Sequence, residues 1–361
     1  MTKKIIFSTG GTGGHILPAI NLMKHFFNKG YQVLLITDDR GNKFLKNYSQ
    51  FRSYILRTDT PTNKNILKKI FSFFTIFYSI INSIIILKRE KPHLIFGFGG
   101  YVSFPISFAS KFFNFPLIIY ENNMVLGRTN KYLSSFSKKI LVAKKITFNF
   151  PEKYKKKTYQ VGSILDKKII NYSPSKKNND KKNFSILVLG GSQGAKIFGT
   201  IIPSVIKMIK ESGHTIEINQ QCVANQKEVI IDFYEKNNIK NYVFEFDANI
   251  IKLISSCDLA ITRCGASTTA ELAHTLTPFV AIPLPHSIDN HQYLNAKYYK
   301  DRGCCWILDE NNFNTDNLFE LINESIKDKN KLENIRKNLK KDYDTNVYNN
   351  VENAIKEFIH K

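Results

Sequence analysis

The chain has 361 residues, 43% of them hydrophobic, enough to bury one large core or, by the usual domain-size prior, two of ordinary size. Its 52 Lys and Arg against 30 Asp and Glu give a formal net charge of +22, which favours an anionic partner such as nucleic acid, phospholipid headgroups or a diphosphate. Lys and Asn dominate even featureless stretches such as 176–183, so part of that charge is compositional, and the absence of a recognition motif or a basic run interleaved with stacking aromatics argues against nucleic acid. Cys222, Cys257, Cys264, Cys304 and Cys305 are odd in number and lack CxxC spacing, which argues against a disulfide framework or zinc site and for a reducing cytoplasm.

From the N-terminus, the apolar run Ile5-Ile6-Phe7 stops at glycines before a secretory signal could be completed. Strand-like segments at 4–7, 32–37, 93–96 and 117–120 alternate with helical ones such as 15–29, the signature of a parallel α/β sheet. Residues 70–87 form the one membrane-like stretch, at the lower edge of spanning length and interrupted by Ser72, Thr75, Ser79, Asn82 and Ser83. Lys64, Lys68, Lys69, Lys88 and Lys91 flank it on both sides, whereas a one-sided bias is the usual sign of a span. A helix that lays part of its apolar face in the lipid interface fits better than a span or an ordinary buried helix. After a polar stretch at 173–183 a second series begins, with candidate strands at 184–189, 215–218, 242–246, 259–262 and 279–282. The expected fold class is therefore α/β, with two doubly wound, Rossmann-like parallel-sheet domains facing a cleft at the carboxyl ends of their strands.

Three glycine clusters each follow a strand: Ser8-Thr9-Gly10-Gly11-Thr12-Gly13-Gly14-His15, Gly97-Phe98-Gly99-Gly100-Tyr101 and Gly190-Gly191-Ser192-Gln193-Gly194-Ala195. Glycines at a helix start let backbone N–H groups approach an anion, and three such clusters point to a diphosphate-bearing ligand. Asp38 and Asp39, at the end of the second strand, stand where a dinucleotide enzyme keeps its ribose-binding acid, but the doubled glycine pairs do not fit GxGxxG, which would need glycine in place of Ile16. Thr268-x-x-Glu271 has capping-box spacing, and the loop Pro283-Leu284-Pro285-His286-Ser287-Ile288-Asp289-Asn290-His291-Gln292 is rich in groups suited to sugar hydroxyls.

Taken in order, these clusters, together with Glu121-Asn122-Asn123, Arg263-Cys264-Gly265-Ala266 and His291-Gln292-Tyr293-Leu294-Asn295-Ala296, closely resemble the MurG-type UDP-N-acetylglucosamine transferases that complete lipid II in peptidoglycan synthesis. The resemblance spans nearly the whole chain. It implies a two-domain, B-type, inverting glycosyltransferase with no cofactor and no tightly bound metal, a peripheral protein at the cytoplasmic face of the bacterial inner membrane. Its partners would be UDP-N-acetylglucosamine, the lipid-linked muramoyl pentapeptide and the anionic membrane surface. By position, Glu271 resembles the family's ribose-binding acid, and Ala266, Ser267, Thr268, Thr269 and Ala270 would line the nucleotide diphosphate. Gln292, with His291, would read the N-acetylglucosamine hydroxyls, Ser192 would lie near the phosphates, and Asp247 would offer a backbone contact to uracil. Thr12, Gly13, Gly14 and Asn123 would complete the site from the first domain. His15 is the candidate base for the acceptor hydroxyl, the competing role being a hydrogen bond to the acceptor diphosphate. The implied domains are 1–162 (acceptor and membrane), a linker at 163–183, and 184–345 (UDP-N-acetylglucosamine), with a helix in 346–361 able to return to the first.

The chain departs from the family in two places. Gly162-Ser163-Ile164-Leu165-Asp166 replaces a Gly-Asn-Pro-Val-Arg segment, so the usual arginine is missing, and Lys167 or Lys168 would not reproduce a bidentate guanidinium. Tyr120-Glu121-Asn122-Asn123 stands for the family's His-Glu-Gln-Asn. A sugar-nucleotide epimerase, or a transferase of the same fold with another lipid acceptor, is the alternative reading.

Overall fold

The computed structural model describes residues 2–11, 13–59, 66–145, 148, 150–172, 183–191, 194–247, 249–342 and 344–359, with Lys46 and Asn47 described by their backbone only. Thr12 and Ser192 lie outside the described residues, as do Lys64 and 173–182. The chain divides into two compact units, Met1–Asp166 with Asn346–Lys361, and Lys167–Thr345.

The first unit is built on a seven-stranded, wholly parallel sheet. Its strands are β1 (Lys4–Ser8), β2 (Gln32–Thr37), β3 (Arg52–Ile55), β4 (Leu94–Gly97), β5 (Leu117–Glu121), β6 (Lys139–Val142) and β7 (Thr158–Gln160), in the order β3-β2-β1-β4-β5-β6-β7. The helices are α1 (Gly13–Asn28), α2 (Asp39–Asn42), α3 (Ile66–Glu90), α4 (Ser103–Ala109) and α5 (Arg128–Leu133). Central strands covered on both faces need apolar residues at every position, and β4 and β5 are buried throughout. Phe7, Phe26, Phe96 and Phe98 pack ring on ring through this core.

In the second unit the helices are α6 (Lys167–Ile170), α7 (Lys196–Glu211), α8 (Lys227–Lys236), α9 (Ile250–Ser256), α10 (Ala266–His274), α11 (His291–Lys300), α12 (Thr315–Lys327) and α13 (Lys329–Lys341). The six strands β8 (Phe184–Leu189), β9 (Ile216–Gln221), β10 (Lys240–Phe244), β11 (Leu259–Thr262), β12 (Phe279–Ala281) and β13 (Cys305–Ile307) are again all parallel, in the order β10-β9-β8-β11-β12-β13. Both sheets therefore reverse direction of winding beside their first strand, between β1 and β4 and between β8 and β11, where doubly wound folds open a ligand crevice. Strands β3, β6, β7 and β13 were not legible as strands: β3, β7 and β13 lie at sheet edges, and all four are three or four residues long.

Residues 163–172, expected as linker, are structured. Ile164 and Leu165 are buried in the first unit, Ile169 and Ile170 in the second. The final helix α14 (Val347–Ile359) belongs to the first unit and buries Val347, Tyr348, Val351, Ala354, Ile355 and Ile359, a one-faced stripe at helical spacing. Tyr348 Oη donates to Leu165 O at 2.7 Å, and Lys139 and Lys3 Nζ donate to the carbonyls of Ala354 and Ile359 at 2.7 and 2.6 Å, in the C-terminal half of the helix, where cations suit its dipole.

Helix α3 is inverted relative to an ordinary surface helix. Ser72, Ser79 and Ser83 face inward while Phe71, Phe73, Phe74, Phe77 and Tyr78 are exposed, Phe74 at 68%. Small side chains let the helix approach α4 closely, and the hydroxyls are satisfied locally: Ser72 by Asp59 at 2.6 Å, Ser83 by Ser79 O at 2.7 Å, and Ser79 by Arg57 O. Among the described residues it is the one helix long and apolar enough to cross a membrane.

Candidate functional site

In the first unit the two glycine loops sit at the β1/β4 switch point and touch. A side chain on Gly100 (φ +75°) would come within 3.2 Å of Gly10 O, so only glycine admits this approach. The two loops then start α1 and α4, and Ser103 Oγ donates to Gly100 O at 2.8 Å to close the second turn. His15, half-buried in the first turn of α1, has its ring 3.3 Å from the point where a Gly99 Cβ would stand, with Asn130 Nδ2 equally near that point. Gly13 is buried and Gly14 half-buried beside it.

Glu121, at the carboxyl end of β5, is buried and accepts four N–H donors: Asn123 N and Nδ2 at Oε1, both 3.0 Å, and Gly127 N and Asn130 Nδ2 at Oε2, 3.0 and 2.9 Å. This buried carboxylate, with both oxygens on N–H donors, organises the β5–α5 loop. Asn123, expected to touch substrate, gives its backbone N–H and one Nδ2–H to Glu121 Oε1. Tyr120, where the family has His, is fully buried and pins the departing segment, donating to Gly162 O at 3.2 Å and accepting from Ile164 N at 3.1 Å. Lys24 Nζ pairs with Asp166 at 3.4 Å, and Lys167 and Lys168 open α6 in the second unit.

Asp38, the rival ribose acid, is committed elsewhere. Its Oδ1 accepts from Gly41 N at 2.8 Å and Gly11 N at 3.3 Å, and its Oδ2 from Arg40 Nε and Nη2 at 3.1 and 2.9 Å. Burial works to raise its pKa, but the Gly41, Arg40 and Gly11 hydrogen bonds and the Arg40 charge outweigh it and hold the carboxyl below its ordinary value.

In the second unit Gly190, Gly191 and Gly194 turn the chain from β8 toward α7, and a side chain at Gly190 would sit 2.6 Å from Ala195 N. Beside this loop, β11 ends and Gly265 caps α10 with no side-chain hydrogen bond. The capping box implied by spacing is not formed: Thr268 is already the third helical residue and Glu271 lies a turn further in. Ala266, Ser267 and Thr268 thus make a helix start without a side-chain cap, the kind of end that receives an anion. Thr269 turns its hydroxyl inward to Gly265 O and Ala266 O, both at 3.2 Å, and Ala270 is buried, so both build the helix end.

Gln292, at the start of α11, ties two loops together. Its Oε1 accepts from Cys264 N and from Leu284 N, each at 3.1 Å. The carboxamide is thereby oriented with its oxygen consumed, and only Nε2 remains to meet a hydroxyl. His291 beside it donates from Nδ1 to Ile288 O at 2.7 Å, which fixes its ring and turns the other nitrogen away from that contact. Asp247 follows β10, accepting from Tyr242 Oη at 3.1 Å and Asn249 N at 2.6 Å, a turn that leaves its backbone as the available contact.

Arg263 and Asn295 stand in the motifs, but no role for them was legible there; the structure shows that they hold this loop system, together with Glu310. Asn295, fully buried one turn beyond Gln292, donates Nδ2 to Cys264 O at 3.0 Å. Arg263, also buried, donates Nη1 to Ile282 O and Pro283 O at 3.2 and 3.3 Å, pairs Nη2 with Glu310 Oε2 at 2.5 Å, and lies 5.0 Å from the Phe198 ring centroid. The signal for Asn295 was its i+3 spacing from Gln292 on a helix; nothing local pointed to Glu310, which comes from beyond β13. All five cysteines are buried thiols, and burial pushes Cys264 well above its ordinary pKa, so it is no nucleophile.

Residues 5–142 match the N-terminal domain of glycosyltransferase family 28, and residues 185–350 match its C-terminal domain. A relative from Rickettsia canadensis (strain McKiel), named as a UDP-N-acetylglucosamine-N-acetylmuramyl-(pentapeptide) pyrophosphoryl-undecaprenol N-acetylglucosamine transferase, is 37% identical over 334 residues, covering 92% of this chain and 93% of its own. A relative of the same name from Pelagibacter ubique (strain HTCC1062) is 37% identical over 310 residues, covering 86% and 85%. The crystal structure of Acinetobacter baumannii MurG superposes with a TM-score of 0.79 at 26% identity, covering 98% of this chain and 99% of that one. With both of its halves matched and that identity sustained over nine-tenths of its length, the chain belongs to glycosyltransferase family 28, within the lineage of the MurG N-acetylglucosamine transferases.

Proposed function

We propose that this chain transfers N-acetylglucosamine from UDP-N-acetylglucosamine to the C4 hydroxyl of the muramoyl pentapeptide carried on undecaprenyl diphosphate, with inversion at the anomeric carbon. The observation that carries the reading is a glycine-built switch point in each unit, within a chain whose 37%-identical relatives are named for this donor and this acceptor. The donor would be held in the second unit. Glu271 would take the ribose hydroxyls, the start of α10 the diphosphate, and Gln292 Nε2 a sugar hydroxyl, while its oxygen keeps the Cys264 and Leu284 loops in place. The acceptor would be held in the first unit, with His15 removing the C4 hydroxyl proton as that oxygen bonds to the anomeric carbon and UDP departs. No group on the second unit need be an acid, because uncapped N–H groups at helix starts stabilise the departing diphosphate.

Radiolabelled UDP-N-acetylglucosamine, offered with a short-chain analogue of the muramoyl pentapeptide lipid, tests this directly. Label should pass to the lipid with one UDP released per transfer, and no UDP should appear without the acceptor. Acceptor-independent loss of UDP, or conversion of the sugar itself, would instead identify an epimerase of the same fold.

The peripheral, cytoplasmic-face placement belongs to the same proposal. Helix α3 offers Phe71, Phe73, Phe74, Phe77 and Tyr78 outward, with Lys68, Lys69, Lys88, Arg89 and Lys91 exposed at its two ends. Its serine face is engaged with Asp59 and Arg57, which favours lying along the interface over crossing the bilayer. The protein is expected to float with anionic vesicles at low salt and to lose up to about 10³-fold of that binding in Phe73→Ser/Phe77→Ser, each fully buried Phe contributing about 2 kcal/mol. Failure to float at low salt would remove the idea.

A further inference from the structure

The cation that pairs with Asp38 is docked against the first glycine loop. Arg40, in α2, donates Nε and Nη2 to Asp38 Oδ2, hydrogen-bonds the Tyr101 hydroxyl, and lies 5.4 Å from the Tyr101 ring centroid. Its Nη2 is also 3.6 Å from where a Gly11 Cβ would stand. Asp38 in turn accepts from Gly11 N, so one carboxylate fixes both the loop and the guanidinium beside it. Arg40 is nevertheless 53% exposed, and the bonds to Asp38 and Tyr101 use Nε and Nη2, leaving Nη1 directed to neither.

An exposed arginine ordinarily keeps considerable rotamer freedom. Here that freedom is already restricted by an acid, a phenol and a backbone turn, none of which needs the guanidinium for a buried core. Asp38 offsets part of the charge, but its own oxygens are turned to backbone N–H groups and to Arg40, so the group facing solvent beside the loop is the cation. A planar, delocalised fork held in one orientation beside a glycine turn is suited to phosphate oxygens.

We propose that Arg40 binds the diphosphate of the lipid-linked acceptor, with Asp38 and Tyr101 as positioning residues that lay its guanidinium beside Gly11. This rests on the acceptor reading given above. Arg40→Ala should raise the acceptor KM about 10- to 100-fold, the range for a lost charge-assisted hydrogen bond to an ion, while the KM for UDP-N-acetylglucosamine stays within about twofold. Arg40→Lys should recover part of the loss, and Tyr101→Phe, which removes only the hydroxyl clamp, should cost severalfold in the same parameter. An unchanged acceptor KM in Arg40→Ala, or an equal rise in both KM values, would overturn the assignment. A calorimetric titration of inorganic pyrophosphate into enzyme saturated with UDP reads the same residue without turnover: Arg40→Ala should bind about tenfold more weakly or worse, and equal affinity counts against the proposal. If wild-type enzyme bound pyrophosphate through Arg40 yet never glycosylated the muramoyl acceptor, the functional reading would fall while the anion site stood.

Discussion

Replacing His15 with alanine is expected to lower kcat about 10²- to 10⁴-fold, the usual contribution of a positioned general base, with little change in the KM for UDP-N-acetylglucosamine. The position supports this role: the imidazole sits in the first turn of α1, held over Gly99 and close to Asn130, at the switch point of the first unit. The same turn is a place where an anion favours the protonated ring, which cannot accept a proton. The two roles separate in the pH profile. A base is inactive when protonated, so wild-type kcat should fall on the acid side as the imidazole gains its proton, and that limb should vanish in His15→Ala. If His15 served only as a donor to the acceptor diphosphate, the loss would appear in the acceptor KM with kcat near normal, and the base assignment would be wrong.

Arg263→Ala is expected to be the most damaging substitution in the second unit, costing about 3 kcal/mol, the low end for breaking a buried ion pair because Glu310 keeps a quarter of its side chain in solvent. The arginine holds the Ile282 and Pro283 carbonyls, Glu310 and the Phe198 ring at once, so its loss leaves two carbonyls and one carboxylate without their cation. For a unit of this size that energy corresponds to a Tm lower by roughly 6–12 °C, readable by circular dichroism. Because the same carbonyls shape the loop whose Leu284 N reaches Gln292, the KM for UDP-N-acetylglucosamine should rise in parallel while the acceptor KM does not. A variant melting within about 2 °C of wild type would show that Glu310 and the loop are held by other means.

The parts of this architecture that could be read from the sequence are those governed by short-range rules. Strand-glycine-helix order placed the loops at Gly10, Gly97 and Gly190 before any topology was known, because a tight approach of backbone to backbone admits no other residue. What could not be read depends on which face a side chain takes. Ser72, Ser79 and Ser83 look like polar breaks in an apolar run, yet they are the inward face of α3, small enough to let it pack while the phenylalanines turn out. Thr268 and Glu271 have the spacing of a capping box, but the helix begins at Ala266, and spacing alone does not fix its first residue. Asp38 suggested a ribose acid by position; its partners Gly11, Gly41 and Arg40 are visible only once the loop is folded. Likewise the motif resemblance implies Gln292 as a sugar reader, while the use of its oxygen to bind two loops emerges from long-range contacts with Cys264 and Leu284.

The return of α14 to the first unit sets an order of events during synthesis. Val351 and Ile355 fill a core whose other walls were translated some two hundred residues earlier, and Glu352 meets His25 and Lys29 at the far end of α1. The ribosome, adding roughly 5–20 residues each second, makes the whole of Lys167–Thr345 before this helix exists. The second unit can therefore finish folding as it emerges, whereas the first must wait with the patch for α14 unfilled and the aromatic face of α3 already exposed. During that interval a nascent chain presents two apolar surfaces at once, and a membrane or a chaperone that covers either of them would decide how much of it is rescued.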